Sequence, residues 1–476
     1  MTEPARPILV AGQWETSDEE IVSRAPGTGE EIGRTYHASA EQLERATAAA
    51  VAAFEVWRKS GLYQRAEVLN AIAAGIAARR EDLARMLARE AGKPLGDSVT
   101  EVDRVAFLFT YAAQEALRIG GELVPLDVIA SSKGKWAITR RVPLGPIAGI
   151  SPFNVPLSLS AHKIAPAIAA GDSIVLKPDS RVALTLGILA EIIAESGLPA
   201  GVVSILPMDV SVADAMVTDP RFRLLSFTGS ARVGWDMRAR AGGKNVVLEL
   251  GGNAAVVVAE DADLDLVMAR LPYGAFKYAG QLCISVQRIF VHRSRLDELR
   301  SRLVAAAEGM RVGPPLEEGV DLGPMISEQA AIATVGLVEE AVGAGARVLA
   351  GGTREGAYVR PTVLEGVPAD ARLARDEAFA PVVILDPFDD IDEAVRLVND
   401  SDYGLQAGVF TRDLRTIWAA FDDLDVGGVV INDIPTYRID HMPYGGVKDS
   451  GLGREGIRYA IEHMTELRTL VITPGS

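Results

Sequence analysis

Residues 146–180, PIAGISPFNVPLSLSAHKIAPAIAAGDSIVLKPDS, set the pattern from which the fold of this chain can be predicted. They contain two short apolar runs, IAGIS and SIVLK, and two more runs of this kind, VVSIL and LLSF, follow downstream. Stretches with helical character, such as residues 181–196, lie between the runs. Alternation of short strands with helices is typical of a parallel sheet covered by helices, so we expect an α/β fold.

A second series of the same type follows further along the chain. VVLEL (246–250) leads through Gly251–Gly252 into the apolar run AAVVVA, and the candidate strands IFVH, VVIL and GVVIN come after it. We expect a domain boundary at the glycine pair, where the chain could change layers.

The segments before residue 146 have a different character. Residues 39–60 predict a helix in which Ser39 is the N-cap and Gln42, three residues later, completes a capping box. Residues 123–144 predict an extended hairpin-type excursion, with a turn at residues 131–134.

The composition limits the class of protein. The chain has 476 residues, of which 48% are hydrophobic and 24% charged, which is ordinary for a globular protein. A formal net charge of −16 repels phosphate backbones, so we do not expect a nucleic-acid partner. The N-terminal residues lack a secretory signal, and no apolar span is long enough to cross a membrane. We therefore expect a soluble, cytoplasmic protein.

A single cysteine and five scattered histidines limit the chemistry. One cysteine excludes an internal disulfide framework and a metal site built from several cysteines, and no HExxH pair is present. We therefore predict no structural metal. The reaction chemistry is expected to come from an organic cofactor or from the thiol.

Cys283, in Gly280-Gln281-Leu282-Cys283, is the first candidate catalytic residue. A free cysteine is often a buried, inert residue. A lone cysteine in a disulfide-free intracellular enzyme is also a candidate nucleophile, and this one follows a glycine and precedes a Val/Ile-rich strand. The two interpretations are evenly balanced on the local sequence alone.

Glu249, in VVLELGGN, is the second candidate. Apolar residues flank it closely, and burial of an unpaired carboxylate raises its pKa. An ion pair with an arginine would explain it equally simply, but its position near the carboxyl end of a predicted strand favours a general base.

Three further positions follow predicted strands. Lys177 closes SIVLK and could face a cofactor or lie on the surface. Asn154 could donate to an oxyanion, although on its own it fits a turn between two prolines better. The start of a helix at Gly229-Ser230 could hold a pyrophosphate, but glycine and serine are common before helices.

Together these segments resemble the aldehyde dehydrogenase superfamily over essentially the whole chain. The matching motifs occur in family order: SPFNVPL, LKP, SFTGS, LELGGN, GQLC, EAFAPV and MPYGGVKDSGLGREG. The last motif, with GGVVIND before it and CISVQR at the cysteine, looks most like the branch of lactaldehyde and related small-aldehyde dehydrogenases.

The resemblance implies a Rossmann-type cofactor-binding domain, an α/β catalytic domain and a β-arm for oligomerisation. Residues 1–122 and 144–250 would form the first domain and residues 251–440 the second. Residues 123–143 and 464–476 would form the arm, which pairs strands between the subunits of a homodimer or homotetramer.

The resemblance also implies catalytic roles. Cys283 would attack the aldehyde, Asn154 and the Cys283 backbone N–H would form the oxyanion hole, and Glu249 would activate water to hydrolyse the thioester. Relatives that transfer the acyl group to coenzyme A often lack this glutamate, so its presence favours the free acid as product. A coenzyme A-acylating semialdehyde dehydrogenase and a catalytically silent binding or structural relative stay open as alternatives. Glu455 matches a carboxylate sometimes assigned to proton relay.

A cofactor, NAD or NADP, is implied by the same resemblance. Glu377 and Phe379 would hold the nicotinamide ribose, Lys177 the adenosine ribose, and Ser230 the pyrophosphate. The implied cofactor-binding residues are Ile150, Ser151, Pro152, Phe153, Lys177, Ser180, Gly229, Ser230, Glu377 and Phe379. Ser180 stands where NAD-preferring relatives often carry a ribose-binding glutamate, so NADP should be tolerated, although the neighbouring Asp179 could oppose its 2′-phosphate.

The substrate is expected to be a small polar or anionic aldehyde of the lactaldehyde, glyceraldehyde or semialdehyde type. Relatives that act on phosphorylated aldehydes often place an arginine just before the cysteine, and this chain has Leu282. Surface or supporting roles would account equally well for the candidate substrate residues, which are Arg104, His162, Arg438 and His441.

Overall fold

Two sheets built mainly of parallel strands form the framework of the molecule, in agreement with the predicted α/β alternation. The computed structural model describes residues 5–473. Residues 1–4 of the expected first domain and residues 474–476 of the expected arm lie outside the described residues.

The strands of the described chain are mostly short. They are β1 (Ile8–Val10), β2 (Gln13–Glu15), β3 (Glu20–Arg24), β4 (Glu31–Tyr36), β5 (Leu123–Pro125), β6 (Trp136–Pro143), β7 (Ile147–Ile150), β8 (Ile174–Lys177), β9 (Val203–Ile205), β10 (Leu224–Thr228), β11 (Asn245–Glu249), β12 (Ala254–Val258), β13 (Val286–His292), β14 (Arg347–Ala350), β15 (Arg354–Glu355), β16 (Tyr358–Val359), β17 (Thr362–Glu365), β18 (Val382–Phe388), β19 (Tyr403–Gly404), β20 (Gln406–Phe410), β21 (Gly428–Ile431), β22 (Val447–Lys448), β23 (Gly451–Leu452) and β24 (Thr465–Ile472).

Helices connect most of the parallel strands. They are α1 (Ala40–Trp57), α2 (Leu62–Ala78), α3 (Arg80–Ala91), α4 (Leu95–Ala116), α5 (Pro156–Ala170), α6 (Ala183–Glu195), α7 (Val210–Thr218), α8 (Ala231–Arg240), α9 (Leu264–Phe276), α10 (Leu296–Gly309), α11 (Glu328–Gly343), α12 (Arg372–Arg375), α13 (Ile391–Asn399), α14 (Leu414–Asp423) and α15 (Ile457–His463).

The first sheet has the order β2-β1-β9-β8-β7-β10-β11-β23. Its five central strands, β9 to β11 in that order, are parallel, and the strands at both edges are antiparallel. The strand order reverses between β7 and β10, so the carboxyl ends of these two strands border a crevice. In open α/β sheets ligands bind in such a crevice.

The second sheet has the order β14-β17-β18-β13-β12-β20-β21 and is parallel except for β14. The chain changes from the first sheet to the second between Glu249 and Ala254, across the glycine pair. Near its end it returns, because β23 pairs with β11 in the first sheet. The division into a cofactor-binding and a catalytic domain stays a prediction.

Local predictions before residue 146 agree with the structure. α1 begins after Ser39, whose side chain accepts from the Gln42 backbone N–H while the Gln42 side chain accepts from Ser39. β5 and β6 are antiparallel, with a short 3-10 turn at Ala130–Ser132 between them. β24 pairs along β6 to complete a three-stranded sheet that leaves several apolar side chains exposed, including Trp136, Leu467 and Leu470.

Among the described helices, none is long and apolar enough to cross a membrane.

Helix α5 is central to the packing because every residue of it is buried. Pro156 occupies its first turn, where a missing N–H is harmless, and Gly171 ends it with a φ of 93°. Arg65 of α2 donates to the carbonyls of Ala169 and Ala170 at 3.2 and 2.6 Å. The C-terminal end of a helix carries unpaired carbonyls and a partial negative charge, so this buried cation stabilises it.

Arg65→Leu is expected to destabilise the protein by about 2 kcal/mol, because the carbonyls at the end of α5 lose a charged donor inside the core. Thermal unfolding monitored by circular dichroism measures the loss. The matched control is Arg85→Leu, since Arg85 forms only an exposed ion pair with Glu81. Equal unfolding temperatures for the two variants would contradict the role assigned to Arg65.

Candidate active site

The predicted catalytic residues and the predicted pyrophosphate site lie in four chain segments, each at or near the end of a strand. Asn154 follows β7, Glu249 ends β11, and Gly229-Ser230 lies between β10 and α8. Cys283 follows a 3-10 turn at Lys277–Gly280 and precedes β13.

The backbone before Cys283 is unusually constrained. Tyr278, Ala279 and Gly280 have φ values of 50°, 51° and 67°, a left-handed conformation that non-glycine residues rarely adopt. A Cβ on Gly280 would lie 2.0 Å from the carbonyl oxygen of Ala380. Left-handed residues cluster at functional sites, because the surrounding packing has to enforce them.

The glycine pair explains how the two sheets approach each other here. A Cβ on Gly252 would lie 2.3 Å from the carbonyl oxygen of Cys283, and one on Gly251 would lie 2.4 Å from Glu377 Oε2. The Gly252 N–H donates to Glu377 Oε1 at 3.0 Å. The motif LELGGN therefore needs glycine at both positions, because a side chain at either would prevent the close approach of Glu377 or Cys283.

Asn154 is buried, with 5% of its surface exposed. Its Nδ2 donates to the Gln281 carbonyl at 2.9 Å, two residues before the cysteine, and its Oδ1 has no partner among the described residues. An amide nitrogen carries two hydrogens, so one remains for a ligand beside Cys283.

Cys283 is partly buried, and its Sγ lies 3.1 Å from the Tyr444 hydroxyl. Burial raises the pKa of the thiol to about 12, against which the Tyr444 hydrogen bond acts. A thiol in this setting is protonated at neutral pH, so its reaction requires a group that accepts the proton or stabilises the thiolate.

Glu249 is 3% exposed, and neither carboxylate oxygen has a hydrogen-bond partner in the described part of the chain. Burial, reinforced by the negative charge of Glu455, raises the pKa of Glu249 well above its ordinary value. Among the described residues no arginine forms an ion pair with Glu249. A carboxylate whose pKa is raised in this way binds a proton more readily than an ordinary glutamate.

Glu455 is buried nearby, but unlike Glu249 it is surrounded by positively charged side chains. Its Oε2 accepts from Arg438 at 2.9 Å, and its Oε1 lies 3.5 Å from Lys163 Nζ. Burial opposes ionisation, yet the neighbouring cations Lys163 and Arg438 lower the pKa of Glu455 to about 2. Glu455 is therefore a fixed negative charge.

A continuous polar network links these groups to the cavity. Arg104 donates to Asp440 Oδ1 at 2.6 Å, and His162 Nε2 lies 3.1 Å from that same oxygen and 3.1 Å from Arg438 Nη2. Burial and then Arg438 lower the pKa of His162, so the ring is neutral and its tautomer decides which neighbour it bonds. We call the following set the arginine–carboxylate network: Arg104, Asp440, His162, Arg438, Glu455 and Lys163.

A cavity of about 430 Å³ opens in front of Cys283. Three of the four predicted substrate residues, Arg104, His162 and Arg438, line it together with Asn154. The fourth, His441, is exposed and packs on Tyr111 with ring centroids 5.8 Å apart, so the structure does not bring it to this cavity. Leu282 lines the wall beside the cysteine.

The predicted cofactor residues border the crevice between β7 and β10. Phe153 and Phe379 meet edge to face at 6.0 Å, and Phe379 adopts a left-handed φ of 48°. Burial raises the pKa of Glu377 to about 7. Ile150 to Pro152 follow β7, Lys177 ends β8, Ser180 starts the next turn, and Ser230 caps the ten-residue helix α8. A Cβ on Gly229 would lie 2.5 Å from the Phe227 ring.

These residues fit a dinucleotide. The N-terminus of α8 offers backbone N–H groups, and the two phenylalanines form an apolar wall. Within residues 5–473, Glu377 accepts from the Gly252 N–H through Oε1, and Oε2 has no donor. Asp179 is paired with Arg181 at 2.9 and 2.7 Å, so its negative charge is compensated.

Three residues of the site were missed at the level of sequence: Tyr444, Lys163 and Asp440. Lys163 carried a usable signal, because a lysine inside the predominantly apolar stretch of α5 has to find a buried partner. Asp440 stands between two residues that were identified, Arg438 and His441. Tyr444 carried no signal apart from its place in MPYGG.

One group of possible metal ligands occurs in the described chain, formed by Glu19, His37 and Asp209. His37 Nδ1 lies 3.5 Å from Glu19 and 3.4 Å from Asp209, and both carboxylates are exposed. Exposed acidic groups beside a histidine are common without a bound ion, and we assign no metal to this group.

Comparison with known proteins agrees with this geometry. A family described as the aldehyde dehydrogenase family matches residues 14–470. The chain is 42% identical over 466 residues to a 3-sulfolactaldehyde dehydrogenase of Priestia aryabhattai. The aligned region covers 98% of this chain and 97% of that protein.

Solved structures are similar over nearly the whole chain. One is aldehyde dehydrogenase 21 from Physcomitrella patens in complex with the reaction product succinate, with a TM-score of 0.97, 44% identity and 99% of both chains covered. Another is the glyceraldehyde-3-phosphate dehydrogenase GapN from Methanocaldococcus jannaschii complexed with NADP. Its TM-score is 0.92 at 38% identity, with 97% of this chain and 100% of that chain covered.

Gly252→Ala is expected to lower the unfolding temperature and to change the alkylation rate of Cys283, because the added Cβ displaces the Cys283 carbonyl. Overpacking of this kind costs about 1–3 kcal/mol. Differential scanning fluorimetry and iodoacetamide labelling measure the two effects.

The control for this substitution is Gly336→Ala in α11, where an added Cβ meets no atom within 4 Å. That change should leave both properties intact or raise stability, since alanine favours a helix. If the two substitutions have the same effect, a collision with the Cys283 carbonyl is not the reason why residue 252 has to be glycine.

Proposed function

The chain belongs to the aldehyde dehydrogenase family, and we propose that it oxidises a small aldehyde bearing an anionic group, with Cys283 as the nucleophile. As an NAD(P)-dependent oxidoreductase it converts an aldehyde to a carboxylic acid. The single observation that carries the proposed substrate class is the arginine–carboxylate network beside the cysteine.

The charge balance of this network supports an anionic substrate. Three cations, Arg104, Arg438 and Lys163, face two ionised carboxylates, Asp440 and Glu455. Burial opposes ionisation of Asp440, but its contacts with His162 and Arg104 lower its pKa well below the ordinary value. Burial lowers the pKa of Lys163, against which Glu455 and Glu249 act. With Lys163 charged, the three cations outnumber the two carboxylates of this network by one, and a substrate anion in the cavity would compensate the excess.

The arginines also have donors to spare. Arg104 is half-exposed to the cavity and uses only Nη2 on Asp440, while Arg438 Nε has no partner among the described residues. A planar guanidinium suits a carboxylate or sulfonate. Similarity to proteins named for sulfolactaldehyde and crystallised with succinate supports these two anion classes. Leu282 beside the nucleophile supports them over a phosphate.

In the proposed reaction the aldehyde lies between Cys283 and Asn154. Cys283 releases its thiol proton to water and Sγ bonds to the carbonyl carbon, while the free Asn154 Nδ2 hydrogen and the Cys283 backbone N–H stabilise the oxyanion that forms on the carbonyl oxygen. Glu377 and Phe379 would hold the nicotinamide of the bound cofactor, which would supply the hydride acceptor. The thiohemiacetal loses a hydride and becomes a thioester on Cys283.

Glu249 then acts in hydrolysis. Its carboxylate takes a proton from water, the hydroxide adds to the thioester carbon, and the Cys283 thiolate leaves as the acid forms. Neither Glu249 oxygen is engaged by a donor among the described residues, so both can accept from a water molecule that enters the site. Glu455 provides the adjacent fixed charge that keeps the Glu249 proton affinity high, which is how we propose that it supports proton relay.

Either nicotinamide cofactor is compatible with the adenosine end of the crevice. Ser180 carries no charge, and Arg181 compensates Asp179, which weakens the repulsion that Asp179 would exert on a 2′-phosphate. We therefore propose use of NADP as well as NAD, with Lys177 and Ser180 at the ribose.

The protein is also proposed to form a homodimer or homotetramer. β24 and β6 expose a row of apolar side chains, and β21 forms an edge of the second sheet. Exposed edges and apolar strands are normally covered, and a second copy would supply matching strands.

Glu249→Gln is expected to form one equivalent of NAD(P)H per subunit rapidly and then stall, because the thioester persists. Intact-protein mass spectrometry should show the added acyl mass, and Cys283→Ser should show none. Because a raised pKa keeps Glu249 protonated at low pH, deacylation by the unmodified enzyme should accelerate as the pH rises. The variant should lose this dependence.

The control is Glu260→Gln, an exposed glutamate that should behave like the unmodified enzyme. A strict requirement for coenzyme A would establish the acylating alternative and refute hydrolysis. No reduction of either cofactor by any aldehyde would favour the catalytically silent alternative.

Arg104→Gln is expected to raise KM for anionic aldehydes about 10- to 100-fold, because a charge-assisted contact is lost. Succinic semialdehyde, a sulfonated aldehyde, a phosphorylated glyceraldehyde and lactaldehyde are compared with neutral propionaldehyde by NAD(P)H absorbance. KM for propionaldehyde should stay within about twofold, since it has no anion to bind. The control, Arg302→Gln, removes an arginine paired with Asp265 outside the cavity. Equal losses on neutral and anionic aldehydes would refute the anion-binding role.

A further inference from the structure

Tyr444 occupies a position next to the nucleophile that the reaction described so far does not use. Its ring is 3% exposed and packs with Ile284 and Leu405 around the partly buried Cys283. Its backbone is fixed by a reciprocal pair of hydrogen bonds with Glu455, at 3.0 and 2.6 Å. The tyrosine therefore cannot move away from the cysteine without disturbing the buried carboxylate.

The ring is also fixed from its face. The Arg438 guanidinium lies 3.8 Å from the Tyr444 ring centroid, well within the range of a cation–π contact. Arg438 is itself bound to Glu455. With backbone and ring both held, the hydroxyl lies 3.1 Å from Cys283 Sγ.

The direction of this hydrogen bond follows from the acidity of the two groups. Burial, and then the charge on Cys283, raise the pKa of Tyr444 well above its ordinary value, so the phenol keeps its proton. A thiolate has no proton to give. Once Cys283 ionises, the hydroxyl can only donate and the sulfur can only accept.

The surroundings of the sulfur make such a donor necessary. Burial raises the pKa of Cys283, and the charges of Glu377 and Glu249 raise it further. Arg438 and the Tyr444 hydroxyl act in the other direction. Of these two, only the hydroxyl contacts the sulfur, and hydrogen bonds to ionised groups are about twice as strong as neutral ones.

We propose that Tyr444 is a further catalytic residue, whose hydroxyl donates a hydrogen bond to the Cys283 thiolate and so increases the fraction of nucleophile ready to attack. Tyr444 transfers no proton in this role. Arg438 acts as the positioning residue that holds the ring, in addition to its place at the substrate anion. This inference rests on the proposed role of Cys283 as nucleophile.

Alkylation of the free enzyme tests the proposal without an aldehyde or a cofactor. Cys283 is the only cysteine, so incorporation of iodoacetamide reports on this sulfur alone. Tyr444→Phe should slow alkylation about tenfold at every pH between about 7 and 9, since loss of one charge-assisted donor corresponds to about one pH unit in the thiol equilibrium. Because this assay needs no turnover, its result is independent of the proposed function. The role of Tyr444 can be refuted while the dehydrogenase activity is present, and it can be supported while the activity is absent.

A second substitution separates hydrogen bonding from packing. Replacement of Tyr444 by 3-fluorotyrosine, whose hydroxyl is more acidic and donates more strongly, should accelerate alkylation. Tyr459→Phe on α15 is the matched control and should leave the rate unchanged. Thermal unfolding confirms that each variant is folded, and urea-denatured samples should all react at one rate.

The opposite result would overturn the proposal. If Tyr444→Phe reacts as fast as the unmodified enzyme or faster, the hydroxyl is a resting-state acceptor for the S–H group or only part of the wall. If 3-fluorotyrosine and phenylalanine change the rate in the same direction, steric access decides reactivity, and hydrogen bonding does not.

Discussion

The Arg438 guanidinium is the charge on which the buried polar groups around Cys283 depend. It donates to Glu455, lies against His162 and covers the Tyr444 ring. Buried charges are tolerated only when they are paired, and removal of one partner leaves the other in an apolar environment. This cation therefore acts with Lys163 to keep Glu455 ionised, restrains the tyrosine beside the sulfur and contributes positive charge to the cavity.

Glu249 and Glu455 show how the same side chain acquires two roles. Both are buried to the same extent, at 3% exposure. Glu455 has two cations in contact and stays ionised, whereas Glu249 has no partner and has Glu455 as a charged neighbour. Two carboxylates whose pKa values are pushed apart are a general sign of a division between a fixed charge and a proton acceptor.

The position of these groups depends on how closely the two sheets approach. Gly251 and Gly252 allow backbone contact where any side chain would collide with Cys283 or Glu377. The left-handed residues before the cysteine are held by the same packing. The fully buried α5 carries His162 and Lys163, and Asn154 lies two residues before its first residue, so one rigid helix positions these three side chains.

The sequence by itself determined the features that depend on neighbouring residues. The alternating runs predicted the parallel sheets, Ser39 and Gln42 predicted a capped helix start, and the ordered motifs identified the family, because strand periodicity and capping are local properties. Only the tertiary structure decided which residues are the partners of Arg104, Lys163 and Tyr444. Arg104 donates to Asp440, 336 residues away, and the Tyr444 hydroxyl contacts Cys283, 161 residues away. Lys163 also donates to Ser226, 63 residues away. It also placed His441 away from the cavity, although Arg438 three residues earlier faces it. Contacts between residues so far apart in the chain depend on how the two sheets pack, and so does the conformation of the loop that carries His441. No local sequence pattern encodes either of them.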